Sequence, residues 1–398
     1  MTLPSLPVIR LRPKVRPQAI RHGFPWIYDN ELVTDRRTKA LKPGAIAVLE
    51  DAERKPLALV AVNPVSRIMA RVLTRDVNAT IDENWLVATL GRALALRERL
   101  YTAPFYRLVH AEADGLPGVV IDRFGDVAVI QPNAAWAELL LPQLTRALAE
   151  VTGVSSVLKN ASGRARGLEG LDEVSAVLLG QAPDTPLAVP MNGATYMADL
   201  TGGQKTGLFY DQRSNHSFAA KLAQDARVLD VFSHVGGFSL AMLAGGAKTA
   251  LAVDGSEAAL ALATEGAERM EMAEKFASRK GDAFDVLAAL AGEGEQFDVV
   301  ICDPPAFAPS KKALEAGLRA YERVARLAAP LVAEGGYLGL CSCSHAVELT
   351  RFRAASTRGI GRAGRAGQLI HTGAAGPDHP THPQLAESGY LKALFYRL

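Results

Sequence analysis

Two apolar runs in the C-terminal half of the chain end on groups able to do covalent and acid–base chemistry. Phe297-Asp298-Val299-Val300-Ile301-Cys302 leads into Asp303-Pro304-Pro305-Ala306-Phe307, and Tyr337-Leu338-Gly339-Leu340 leads into Cys341-Ser342-Cys343-Ser344-His345. A strand ending in Asp-Pro-Pro presents its carboxylate rigidly at the carboxyl edge of a sheet, where open α/β sheets bind substrate. Cys343, at the end of the adjacent strand, would set a thiol beside the Asp303 carboxylate, and a thiolate there is a nucleophile. A lone cysteine is more often a small buried hydrophobe; the strand-end position beside Asp303 is what favours catalysis here. Cys302 precedes Asp303 and, by strand alternation, points elsewhere.

A third stretch, from Val228 to Leu240, supplies the place for a nucleotide-like ligand. An apolar run closing on Asp230, then Phe232, the pair Gly236-Gly237 and an amphipathic segment read as strand, tight turn and helix, the opening unit of a doubly wound sheet. Glycines let the backbone approach a ligand, and the helix that follows offers unpaired N–H groups. The spacing is looser than G-x-G-x-x-G, so a pyrophosphate grip is not indicated. Leu251-Ala252-Val253-Asp254 repeats the strand-then-acid pattern 24 residues after Asp230, about where an acid meets ribose hydroxyls, and Asp282 follows the next helical segment. Three acids at successive strand ends outline one adenosine-type pocket; the competing role for each is a helix N-cap. Just upstream, Lys205-Thr206-Gly207-Leu208-Phe209-Tyr210-Asp211-Gln212-Arg213 is dense enough in polar groups to form that pocket's lid or floor, with Asp211 and Arg213 as ligand-side candidates. Its alternative is a loop preceding a helix from Ser214 to Leu222.

The elements positioning these groups divide the 398 residues into three parts: a small β-barrel over 1–75, a middle α+β domain over 76–190 and the doubly wound α/β domain over 191–398. Short alternating runs punctuated by turn residues, such as Ala45-Ile46-Ala47-Val48-Leu49 after Lys42-Pro43-Gly44, mark the barrel. An amphipathic helix over Thr80–Tyr101 follows. The middle part reads as an antiparallel sheet with one helix, Trp136 to Val151, and no evident catalytic cluster. After Asp303 a helix spans Leu314 to Leu331. The two final strands, at Gln368–Thr372 and Tyr390–Leu398, are joined by a loop with no crossover helix and so must pair antiparallel.

Net charge is only +2, yet residues 1–40 hold eight Lys or Arg against three acids, a local excess of five able to attract phosphates. Arg10, Arg12, Lys14 and Arg21 lie near the aromatics Phe24 and Trp26, the combination that binds RNA by phosphate contact and stacking. The competing roles are a solvated basic face and barrel core. A second basic segment, Arg351, Arg353, Arg358, Arg362 and Arg365, fits either phosphate contact or a solvated helix face. Three cysteines, two of them one residue apart, fit neither a disulfide framework nor zinc spacing. With no membrane-length apolar run and no signal peptide at Met1–Pro7, a soluble cytoplasmic protein is expected.

Several motifs together resemble a known family: Gly23-Phe24-Pro25-Trp26 and Asn63-Pro64 in front, Glu112-Ala113-Asp114-Gly115-Leu116-Pro117-Gly118 in the middle, then Lys205-Thr206-Gly207, Asp211-Gln212-Arg213, Val235-Gly236-Gly237-Phe238, Asp303-Pro304-Pro305-Ala306-Phe307 and Ser342-Cys343-Ser344. Over nearly its whole length the chain is similar to the cytosine-5 ribosomal RNA methyltransferases, which carry an N-terminal PUA domain and a C-terminal class I, S-adenosyl-L-methionine (SAM)-dependent Rossmann-like domain with a seven-stranded sheet. The resemblance implies SAM as cofactor, and ribosomal RNA as partner, large-subunit 23S rRNA in particular. It implies no metal and no membrane, and leaves room for a homodimer. It gives Asp254 the cofactor ribose, Asp282 the adenine, the loop from Asp230 to Gly237 the methionine part, Asp303 the target base and Cys343 the role of nucleophile. Cys341 stands where the family pattern asks for no cysteine. Pro305 stands where many RNA cytosine-5 enzymes carry another cysteine that helps release product, so the base that removes the C5 proton stays unassigned.

Cytosine C5 is a poor nucleophile. A thiolate added at C6 pushes electron density to C5, which makes a thiol such as Cys343 the natural helper and requires the target base to be unpaired or flipped out. Two other readings compete. Asp303-Pro304-Pro305 also suits direct N-methylation of a purine, which needs no cysteine. A non-catalytic RNA-binding ribosome-assembly factor would use only the barrel and basic face, and the acids at 230, 254 and 282 argue against it.

Overall fold

A computed structural model describes residues 6–202 and 207–398. Lys205 and Thr206 lie outside the described residues. The chain forms two compact units, one of residues up to Asp184 together with Asp378–Ser388, the other of Thr185–Pro377 with Gly389–Leu398.

In the front unit, Val8–Arg10 pairs parallel with Ala45–Glu50, which continues antiparallel through Pro56–Val62 and Ala70–Thr74 to Trp26–Ile27. Alternation in Ala45–Glu50 turns Ala47 and Leu49 inward onto Ile9, Leu11, Ile27 and Val60. A second sheet runs Phe105–His110, Val119–Phe124, Val127–Pro132, Ser156–Lys159 and Ala176–Leu179.

The middle sheet differs from the all-antiparallel one expected. Val127–Pro132 and Ser156–Lys159 pair parallel, because the helix Leu141–Thr152 lies between them and carries the chain back to the starting edge. The helix expected from Trp136 to Val151 is two helices, Ala135–Leu139 and Leu141–Thr152. Pro142 lacks an N–H and is tolerated only in a first turn, so the second helix starts there.

The sequence boundary at residue 75 separates two sheets that polar bonds bind into one unit. Arg71 pairs with Glu112 at 2.9 Å and Glu169 at 3.0 Å, and Glu169 also accepts from Asn63 Nδ2 and Ser66 Oγ. Arg97, with no exposed surface, forks onto both oxygens of Asp114 at 2.6 and 2.7 Å and donates to the Asp378 carbonyl at 2.8 Å. Asp378 Oδ2 accepts from the Arg107 amide, which places residues 378–388 in this unit.

The second unit is built on β1 (Arg227–Val231), β2 (Thr249–Asp254), β3 (Phe276–Lys280), β4 (Phe297–Cys302), β5 (Val332–Ser342), β6 (Gln368–Gly373) and β7 (Lys392–Arg397), with helices α1 (Arg213–Ala220), α2 (Gly237–Ala244), α3 (Glu257–Arg269), α4 (Ala283–Gly292), α5 (Leu314–Ala328) and α6 (Leu349–Arg362). Strand order is β3-β2-β1-β4-β5-β7-β6, and β7 alone runs against its neighbours. Val228, Leu229, Asp230 and Val231 are all buried, as a central strand covered on both faces requires. The order reverses between β1 and β4, so the carboxyl ends of these strands border the crevice of a doubly wound sheet. The Arg-rich helix α6 spends its charge internally: Arg351 pairs with Glu315, and Arg358 and Arg362 both pair with Glu322 of α5.

Among the described residues no helix is long and apolar enough to cross a membrane, and no group of three His, Cys, Asp or Glu is placed to hold a metal ion.

Removing one partner of a buried ion pair strands the other charge, at a cost of about 3–5 kcal/mol. Asp114→Ala therefore lowers the urea-unfolding free energy of the front unit by that amount, whereas Glu83→Ala, which frees the exposed Arg146, changes it by less than about 1 kcal/mol.

Candidate active site

The turn after β1 is held by a carboxylate. Asp230 is fully buried, and its Oδ2 accepts the Ser239 amide of α2 at 2.8 Å. Burial pushes its carboxyl up to about 6, with the Ser239 and Phe238 amides opposing. Between Asp230 and Gly237 the backbone enters the left-handed region three times, at Phe232 (φ 64°), His234 (φ 49°) and Gly236 (φ 80°). For residues other than glycine such conformations cost about 1–3 kcal/mol each and persist where surroundings enforce them. Asp254 is part of that enforcement: its Oδ2 accepts the His234 amide at 2.9 Å while Oδ1 accepts the Ser256 amide at 2.8 Å. A Cβ on Gly236 would lie 3.0 Å from Leu240 Cγ and 3.1 Å from Ala263 Cβ; one on Gly237 would lie 2.8 Å from His216 Nε2.

Asp282 is exposed and N-caps α4, its Oδ1 accepting the Phe284 and Asp285 amides at 2.9 and 3.2 Å. Phe232, Phe284 and Phe307, from the ends of β1, β3 and β4, meet at centroid distances of 6.1–6.5 Å. Asp211 accepts the Tyr390 hydroxyl at 2.6 Å, and the mostly buried Arg213 lies 5.8 Å over the Tyr210 ring. Gln212 Nε2, Asn215 Oδ1, His216 Nδ1, Asp230 Oδ1, Ser233 Oγ and Ser239 Oγ are buried and make no hydrogen bond among the described residues.

At the ends of β4 and β5 the three cysteines part company. Cys302 and Cys341 are buried in the sheet, where desolvation and the Asp303 charge push both thiols up and keep them protonated. Cys343 is half-buried, and its Sγ lies 4.0 Å from the Pro304 carbonyl oxygen, on the loop that Asp303 opens. The flanking serines hold it there. Ser342 and Ser344 are both fully buried; Ser344 Oγ accepts the Ala308 amide at 3.0 Å and shares a hydrogen bond with Tyr321 Oη at 2.8 Å. The loop is closed from β7, where Lys392 Nζ donates to the Ser344 and Val347 carbonyls at 2.7 and 2.9 Å. The Asp303 amide donates to the Val231 carbonyl at 3.1 Å, locking the start of its loop to β1. His345 is exposed and its ring faces Tyr390 at 5.4 Å.

In the front unit the basic candidates differ in how far they are engaged. Arg10 pairs with Glu50 at 2.9 Å and Arg21 with Asp51 at 3.0 Å; Arg12 donates to the Leu32 carbonyl, and Lys14 is exposed. Phe24 is half-buried. The Trp26 indole donates to Glu112 at 2.7 Å with Arg71 5.9 Å above its ring, so this tryptophan braces the two sheets of the unit.

The PUA-like domain family matches residues 9–75, and the S-adenosylmethionine-dependent methyltransferase family matches residues 136–397. Ribosomal RNA large subunit methyltransferase I of Cronobacter sakazakii is 33% identical over 95% of this chain and 96% of its own length, and that of Aliivibrio fischeri 35% identical over 97% and 98%. A ribosomal RNA large subunit methyltransferase of Deinococcus radiodurans is 33% identical end to end. The chain belongs to this methyltransferase family. A candidate SAM-dependent methyltransferase from Streptococcus mutans superposes with a TM-score of 0.82 at 18% identity, covering 99% of this chain and 100% of that one. A methyltransferase crystallised with SAH gives the same score, identity and coverage. The shared fold is the class I one, with its antiparallel β7.

The methyltransferase unit suits SAM, its cofactor. An amino-acid moiety needs buried polar partners, and His216 Nδ1, Asp230 Oδ1, Ser233 Oγ and Ser239 Oγ lie near the β1 turn without a hydrogen bond among the described residues; Gly236 and Gly237 leave the room that Leu240, Ala263 and His216 occupy against that turn. Sequence reasoning missed Ser239, Phe284, Tyr321 and Lys392. Of these only Lys392 left a trace, as a charge at the start of the apolar run that ends the chain.

Gly236→Ala, forced to hold a left-handed alanine against Leu240 and Ala263, is expected to bind SAM about tenfold or more weakly in calorimetry, with its circular dichroism unchanged. Asp230 has a raised folded-state pKa, so its contribution to stability is present below about pH 4 and is lost as pH rises through about 6. Asp230→Asn keeps an acceptor for Ser239 and has no such titration. In urea unfolding the variant should therefore gain on wild type between pH 4 and 7, by about 2 kcal/mol.

Proposed function

We propose that this methyltransferase acts on C5 of a cytosine in large-subunit ribosomal RNA through a covalent adduct between Cys343 Sγ and C6. The observation that carries the reading is the half-buried Cys343 sulfur at the Asp303–Pro304 loop, beside two cysteines locked in the sheet. The relatives, ribosomal RNA large subunit methyltransferases, supply the RNA, and the PUA-like domain a place to hold it.

When bound, SAM supplies an electrophilic methyl group on a sulfonium. Asp254 at the end of β2 would take the ribose hydroxyls, Asp282 with Phe232 and Phe284 the adenine, and the Asp230–Gly237 turn with Asp211 and Arg213 the amino-acid end. Asp303 would accept a hydrogen bond from the edge of the target base and favour a protonated N3 during attack. Cys343 thiolate adds to C6 and charge builds at C5, which takes the methyl group. Loss of the C5 proton to a base then expels the thiolate and restores the ring. Arg10, Arg12, Lys14, Arg21 and Phe24 would contact flanking RNA, with Trp26 supporting the surface. The base must reach the thiol unstacked, so single-stranded or opened RNA is the substrate form.

Cys343→Ala should lose methyl transfer while still binding SAM, and RNA carrying 5-fluorocytosine at the target should trap wild-type protein as a complex stable to denaturants. Full transfer by Cys343→Ala, or a methylated purine in the product nucleosides, would replace this reading with direct N-methylation at Asp303. Bisulfite mapping of large-subunit rRNA from cells lacking the protein names the nucleotide.

A further inference from the structure

We infer that Lys392 is the positioning residue that presents Cys343 and favours its thiolate, a role that rests on the covalent reading of Cys343.

Lys392 occupies the first position of β7, in a register opposite Ser342. Its side chain is 7% exposed, and the ammonium reaches across to the segment that follows β5, donating to the carbonyls of Ser344 and Val347. Both acceptors are neutral, so no carboxylate among these bonds cancels the buried charge. A buried cation normally pairs with an anion. The group standing in for that anion is the residue next to its first acceptor: Cys343, whose thiolate interacts favourably with the ammonium. The attraction is mutual, so the ammonium stabilises the thiolate to the same degree, and the thiol proton passes to solvent.

Other polar groups also border the Cys343 loop among the described residues. From α5 comes Tyr321, a neutral hydroxyl spent on Ser344. From the end of β4 comes Asp303, whose negative charge opposes the thiolate. From the cysteine's own loop comes His345, turned to Tyr390. Burial lowers the lysine to about 8, so the ammonium persists at neutral pH. The same two hydrogen bonds also clamp the Ser344–Val347 turn, so one side chain sets both where the sulfur sits and which protonation state it prefers.

The test is the pH dependence of Cys343 carbamidomethylation by iodoacetamide in the full-length protein, followed by tandem mass spectrometry so that Cys341 in the same peptide is scored separately. Wild type should titrate below the about 8.5 of a free thiol. Lys392→Met should raise that midpoint by about one pH unit or more, with the acid limb of kcat/KM for methyl transfer moving the same way, and Lys392→Arg should bring both back towards wild type. A wild-type midpoint at or above 8.5 overturns the inference without any variant, which covers the case in which Lys392→Met does not fold. An unmoved midpoint in a Lys392→Met protein that still binds SAM reduces the lysine to a structural clamp and equally overturns it. Neither result touches the covalent reading, which fails only if Cys343→Ala still methylates.

Discussion

A carboxylate with no exposed surface, Asp230, accepting one backbone amide from the helix that follows it, is the contact on which the second unit depends. It ties the end of β1 to the start of α2 across a turn that would not hold itself, since two of its non-glycine residues sit in left-handed backbone. Asp254 grips the same turn from β2 through the His234 amide. Two acids from neighbouring strands thus fix one loop: Asp230 is fully buried, and burial raises its pKa, whereas Asp254 is half-buried. The geometry of this turn is a matter of electrostatics inside the protein before any ligand arrives.

The region around Cys343 shows the complementary device. A side chain on a loop is rarely both partly exposed and firmly held. The Ser-Cys-Ser run combines the two. Both serines turn inward, one of them bonded to the Asp303 loop and to α5, and the cysteine between them is left partly open. The neighbouring thiols of Cys302 and Cys341 are fully buried, and desolvation raises the pKa of both.

Charge in the front unit is less available than composition suggests. Arg10 and Arg21 are matched by Glu50 and Asp51, which lie 40 and 30 positions away along the chain. The basic run of α6 is matched likewise by acids on α5. Such pairings neutralise part of the basic excess of the N-terminal forty residues within the protein itself. Aromatics follow the same logic, since the Trp26 indole finds its hydrogen bond inside the unit.

Much of this was legible from order and type alone. Apolar runs closing on Asp230, Asp254, Asp303 and Cys343 placed strands and their carboxyl ends, and the absence of a crossover helix before the last strand required its antiparallel pairing, because these are consequences of local periodicity and chain connectivity. What periodicity cannot carry is long-range partnership. The parallel pairing of Val127–Pro132 with Ser156–Lys159 and the bracing role of Trp26 depend on which groups meet after folding. The same holds for Lys392: a charge at the start of an apolar run was visible, but its reach to the carbonyls around Cys343 exists only because β7 inserts beside β5. Types and spacing determined which groups were candidates; burial and distant hydrogen bonds, which only the packed chain possesses, decided how each is placed.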